Sequence, residues 1–368
     1  MTIPEILEEI RVNLAQELLA CRIDTPKFVP ANYDVHIASS VMQKAIRRGD
    51  ELHALAAAAT LVESDSNRLW RRLLVIAYED IGIGDLEIVG WITASHAQKR
   101  WRAAHGGEWP VVALLITRMC QAKKDRTADD LLHLAENDPS LNDHRRCWSS
   151  APIDRLLEFI KDPEIDFAEQ ALAIWLSVGT DRYRSPRLRE RRGSPEEVFA
   201  AFKSLEVPDD VLAITWIGHK KMSWPLAAFL PAVWLRSQNE DVQIQSDLLP
   251  PSACLESVPS YALDTYTRSG KAAIRQLLQT SAPLRSFLGL HAPEQDWPKI
   301  VAVMLFRIEG GLMTNRLRWP SGEQIKERAD EIIPGLPIEV TTEGLELLRA
   351  EIPRLNIARG MIIRQTVG

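Results

Sequence analysis

Residues 33–85 read YDVHIASSVMQKAIRRGDELHALAAAATLVESDSNRLWRRLLVIAYEDIGIGD, and their spacing decides the fold class. From Asp34, the apolar residues Ile37, Val41 and Ala45 recur every four positions and so share one face of a helix. Gly49 follows where a left-handed cap is needed. A second, alanine-rich helix is predicted over Glu51 to Val62, its small side chains permitting close helix approach. A third, Asn67 to Glu79, carries Leu69, Leu73, Ile76 and Ala77 inward and stops at Gly82. Asp85 is then placed to cap a helix bearing Ile88, Trp91 and Ile92.

The same periodicity extends in both directions. Thr2 and Glu5 have capping-box spacing before Ile6, Leu7, Ile10, Leu14 and Leu18, and Pro26 and Pro30 mark a linker over Asp24 to Asn32. Helices are predicted at Trp109–Cys120 and Thr127–Ala135, and Asn137 to Ser150 reads as a polar boundary. Beyond it, helical patterns cover Pro152–Ile160, Phe167–Ser177, Pro195–Ser204, Asp209–Ile217, Pro225–Arg236, Tyr261–Gln279, Trp297–Glu309, Gly322–Ile332 and Thr342–Arg349. Only short pieces such as Ile338–Thr341 read as strand, so the predicted class is all-α. Expected units are a helix and linker over 1–32, a helical domain over 33–140 and a second helical domain over 151–368, with no repeat of fixed period.

The 33–85 stretch resembles the segment that follows the ATPase core in the RarA/MgsA family of AAA+ proteins, relatives of clamp-loader subunits. The matching residues are Tyr33 and Asp34, Lys44 to Asp50, Arg71 and Arg72, and Ile76 to Asp85. A weaker likeness runs through Val111 to Asn137, where Gln121, Ala122, Lys123 and Lys124 stand at a family helix end. The resemblance implies a clamp-loader-collar-like helical domain that holds subunits together, as the family's tetramer-forming region does. It also implies an accessory role in DNA replication, recombination or repair. Arg71, Arg72, Glu79 and Asp80 are its expected oligomer-interface residues.

The motor of that family is not in this sequence. A phosphate-cradling loop needs GxxxxGK[ST], so that backbone N–H groups and lysine meet phosphates while the hydroxyl holds magnesium. No such motif occurs in the 368 residues, and the chain ahead of Tyr33 is too short for a nucleotide-binding domain. The expectation is therefore a non-enzyme without cofactor, its partners being further copies of itself, an AAA+ ATPase supplied in trans, and DNA. The alternative is an interaction scaffold that completes a separate ATPase and does not bind DNA.

Composition narrows the partners. A chain with 46% apolar and 26% charged residues and net charge −6 is an ordinary globular protein, so any polyanion contact needs a local basic patch. That patch is the segment DRYRSPRLRERR at 181–192. Arg182, Arg184, Arg187, Arg189, Arg191 and Arg192 suit phosphate oxygens, and Tyr183 could stack on a base, making these seven the candidate DNA-binding residues. The competing reading is a solvated basic loop, or one docked on an acidic partner.

Other candidates have simpler explanations. The acidic group Tyr78, Glu79, Asp80, Asp85 and Glu87 reads as a helix end and a new cap rather than a metal site. Eight scattered histidines offer no HExxH, and no GxSxG is present. Cys21, Cys120, Cys147 and Cys254 fit neither CxxC spacing nor a disulfide framework, and read as free thiols in a cytoplasmic protein. No apolar run has the length to cross a bilayer, so no membrane partner is expected.

Overall fold

The computed structural model describes residues 1–21 and 24–367, and the local signals around 33–85 govern its first half. Helix α1 (Ile3–Ala20) buries Ile6, Leu14 and Leu18, with the Thr2 N–H donating to Glu5 at 2.8 Å. Asp34 caps α2 (Val35–Arg48), accepting from the N–H groups of His36 at 2.7 Å and Ile37 at 2.9 Å. Gly49 ends it at φ +67°, a conformation that costs glycine little. The two helices expected next are one bent element, α3 (Glu51–Ile76), broken in conformation only at Asp65. There the Asp65 carboxylate caps the second half by accepting from Arg68 N–H at 2.9 Å.

After Ile76 the chain widens into a π-helical turn, Ala77–Ile81, and reverses at Gly82. A Cβ at Gly82 would sit 2.6 Å from the Asp125 carbonyl oxygen, so this close approach requires glycine. Helices α4 (Leu86–Ser95), α5 (Lys99–Ala104), α6 (Glu108–Gln121) and α7 (Thr127–Asn137) follow. The polar stretch read as a boundary contains a helix of its own, α8 (Asn142–Trp148). Then come α9 (Ile153–Lys161), α10 (Phe167–Val178), α11 (Pro195–Ser204), α12 (Asp209–Lys221) and α13 (Leu226–Ser237). Helix α10 is apolar on nearly every side and is buried along its length, Trp175 completely.

Helices α14 (Arg268–Thr280), α15 (Ala282–His291), α16 (Trp297–Leu305), α17 (Pro320–Glu331) and α18 (Thr341–Val367) complete the chain. A second π-helical turn, Phe306–Gly310, follows α16. The strand expected at Ile338–Thr341 is instead a single 3-10 turn leading into α18. Extended backbone lies elsewhere: β1 (Gln243–Gln245) pairs antiparallel with β4 (Arg316–Arg318), and β2 (Cys254–Leu255) with β3 (Val258–Pro259). The fold is all-α, and none of the described helices is long and apolar enough to cross a membrane.

The apolar residues form two cores whose limits differ from those expected. Leu134, Leu141, Leu156 and Trp175 belong to one cluster, so the core runs across 137–150. The second cluster takes α14, α15, α16 and α18, dividing 151–368 internally. Between its two halves the chain returns to the first core through β4 and α17, where Trp319 is buried and its indole N–H donates to Asp125 Oδ2 at 2.9 Å. Polar groups stitch the cores together: Lys44 pairs with Asp264, at the start of the second core, at 2.9 Å, Arg47 Nη1 donates to the Gly310 carbonyl at 2.7 Å, and Arg359 Nε donates to the Leu263 carbonyl at 2.9 Å.

Candidate anion-binding cleft

Four arginines enclose a cleft of about 570 Å³ between α8 and the segment joining α10 to α11. Its walls are Asn142, Arg145, Arg146, Ser149, Arg187 and Arg189, with no carboxylate among these lining residues. Helix α8 supplies one wall because Asn142, Arg145, Arg146 and Ser149 fall at three- and four-residue spacing on one side. Arg145 is buried and fixed in place: Nη1 donates to the Ala135 carbonyl at 2.9 Å, and Nη2 to the Asp138 carbonyl and to Asn142 Oδ1. These bonds also satisfy carbonyls left open at the end of α7.

The opposite wall is the arginine segment, and its geometry is set by residues that face inward. Gly179, at φ +104°, and Gly193 lie so close that a Cβ on Gly193 would sit 2.2 Å from the Val178 carbonyl carbon. Across this neck Thr180 Oγ1 donates to the Arg189 carbonyl at 2.7 Å and accepts from Arg191 N–H at 2.8 Å. Tyr183 is 1% exposed, its hydroxyl within 2.7 Å of both the His219 carbonyl and His219 Nδ1. Arg191 Nη1 caps α8 by donating to the carbonyls of Trp148, Ser149 and Ala151 at 3.2, 3.4 and 2.9 Å.

The seven expected DNA-binding residues therefore separate into two groups. Tyr183 and Arg191 are anchors, and a buried Tyr183 cannot stack on a base, which corrects that expectation. Arg182, Arg184, Arg187, Arg189 and Arg192 are exposed. Arg182 Nη2 donates to the His219 carbonyl at 2.7 Å, and Arg184 lies 3.8 Å from Glu190. The guanidinium groups of Arg187 and Arg189 have no hydrogen-bond or ion-pair partner among the described residues. The electrostatics agree: burial lowers the Arg145 pKa, and the Arg187 charge lowers it further. Cations that disfavour one another in this way gain from an added anion.

The expected interface residues have a different fate. Asp80 is completely buried, with Oδ1 accepting from Arg47 Nε at 2.7 Å and from Arg126 Nη1, and Oδ2 accepting from Gln43 at 3.0 Å. Burial opposes its ionisation, but the Arg47 and Arg126 charges outweigh that and hold its carboxyl below the usual range. Asp80 cannot touch a second subunit, which corrects its assignment to an interface. Glu79 accepts from Arg47 Nη2 at 2.7 Å, and Arg72 donates to Gln43, leaving Arg71 as the exposed member of the four. Among the described residues no cluster of His, Cys, Asp or Glu is arranged to hold a metal ion.

Asn142, Arg145, Arg146 and Ser149 were not expected in the site, because α8 reads as a loop. The paired arginines of NDHRRC were the available signal. No family model, no curated protein and no solved structure matches this chain.

Proposed function

We propose that this chain is a non-catalytic accessory protein of DNA replication, recombination or repair that contacts the nucleic-acid phosphate backbone through the cleft between α8 and residues 180–192. The observation that carries the reading is the lining: four arginines, two small polar residues and no carboxylate. Guanidinium forks match phosphate oxygens, and a wall held by backbone hydrogen bonds loses little freedom on binding. DNA as the source of the phosphates, and self-assembly, enter the proposal from the Tyr33–Asp85 resemblance.

Fluorescence anisotropy with a labelled DNA duplex at several salt concentrations tests this reading. The wild-type chain is expected to bind with an affinity that falls steeply as salt rises, because bound phosphates release counterions. The double variant Arg187→Ala/Arg189→Ala is expected to bind more than tenfold more weakly. Equal binding by both proteins would end the proposal. Sedimentation of the wild-type chain, compared with Arg71→Glu, examines assembly independently.

A further inference from the structure

The cleft as built offers phosphates a home and bases none. Trp148, beside it on α8, has His144 stacked at 4.6 Å and Phe159 stacked at 4.3 Å. Tyr183 points inward. A strand held here by phosphates alone would be read without regard to whether its bases are paired.

An available ring lies where the arginine segment is tied to α12. Arg182 reaches the carbonyl of His219, and the next residues, Lys220 and Lys221, are exposed without an acidic partner among the described residues. Lys220 covers the ring of Trp216 at 4.2 Å, and Phe199 closes on the same ring at 4.9 Å. Three residues beyond Lys221, Trp224 is 46% exposed and has no ring partner among the described residues. The field around α12's end is positive: burial, then Lys221 and Arg102, push His96 down to about 4.

Lysines at a helix C-terminus favour the helix dipole on their own. That effect explains Lys220 and Lys221 but not an exposed indole joined through Arg182 to the segment that carries the unpartnered guanidinium groups of Arg187 and Arg189. Basic side chains interleaved with an open aromatic face form the pattern that holds single strands, since every unpaired base has a face to stack. A duplex keeps its bases stacked on one another and gives an indole nothing to cover.

We infer that the binding surface continues from the cleft across Arg182 to Lys220, Lys221 and Trp224, and that Trp224 stacks on an unpaired base of a single strand. The inference rests on the phosphate reading of the cleft and adds a preference for single-stranded nucleic acid.

The test uses the full chain with two fluorescein-labelled probes, an oligothymidylate and a hairpin duplex. Trp224→Ala is expected to weaken oligothymidylate binding about tenfold and to leave duplex binding within about twofold of wild type. Trp224→Phe is expected to recover most of the loss, and the thermal midpoint of each variant to match wild type. If Trp224→Ala binds oligothymidylate as wild type does, or loses both probes equally, the stacking role is overturned while the cleft stands. If Arg187→Ala/Arg189→Ala keeps both probes at wild-type affinity, the cleft reading fails and this inference falls with it.

Discussion

The ion network around Asp80 and the arginine cleft at Arg187 each gather several arginines and differ in how that charge is neutralised. Around Asp80 each strong donor has an acceptor inside the chain, so the charges hold π-turn, α2 and α7 in one arrangement. Around Arg187 the inward-facing members are satisfied by backbone carbonyls, Arg146 pairs at the surface with Asp143 at 3.0 Å, and Arg187 and Arg189 have no carboxylate partner among the described residues. Structural charge is therefore recognised by closure, and charge available to a ligand by the lack of it.

Removing Asp80 should break the comparison most sharply. Asp80→Ala removes the carboxylate shared by Arg47 and Arg126, leaves them Glu79 and Asp129, and is expected to cost about 3 kcal/mol in urea unfolding. An unchanged midpoint would show that the network is not structural. The opposite outcome is expected for Arg187→Ala/Arg189→Ala. Its stability should stay within about 0.5 kcal/mol of wild type, while the slope of log affinity against log salt for DNA becomes shallower by about two.

Tyr183→Phe probes the hinge between the two kinds of charge. It deletes the hydroxyl that meets His219 and should cost about 1 kcal/mol, with weaker probe binding because the arginine segment loses an anchor.

The smallest effect is expected from pH. Burial, then Arg182 and Lys220, pull His219 from 6.5 to about 4, so the unfolded chain takes up the proton first. Its contribution is complete above pH 6.5 and is lost as pH falls towards 4. His219→Asn should flatten thermal stability over that window only in part, since His96 and His133 are also held to about 4.

Much of the helical framework was legible because caps are local. Asp34, Gly49 and Asp85 act within a few residues of themselves, and each does in the structure what its position implied. In sequence the bend at Asp65 reads as a gap between helices, since a capping aspartate inside a polar run looks the same whether the axis breaks or bends. Helix α8 was hidden for a different reason. Its residues NDHRRCW carry little apolar periodicity, and its C-terminal end is satisfied by Arg191, about forty residues away in sequence.

The candidate site was half legible on the same grounds. Six arginines in one segment announce a positive field, but which of them face inward depends on His219 and on the carbonyls of 148–151. No window of sequence contains both partners. The pairing of β1 with β4 was out of reach too, because three-residue strands some seventy residues apart leave no alternation to detect.

The return of the chain at Trp319 has a consequence for synthesis. Asp125 accepts from Thr127 only two positions on, yet the indole that completes its hydrogen bonding lies 194 positions later. At a translation rate of roughly 5–20 residues per second, a nascent chain waits on the order of ten seconds or more with only the local bonds from Thr127 to that carboxylate in place. The second core is likewise begun by α14 to α16 and finished by α18 only after the detour through α17. Both cores take residues from α18, Ile363 in the first and Leu348 and Leu355 in the second, so neither is complete until that helix has been made.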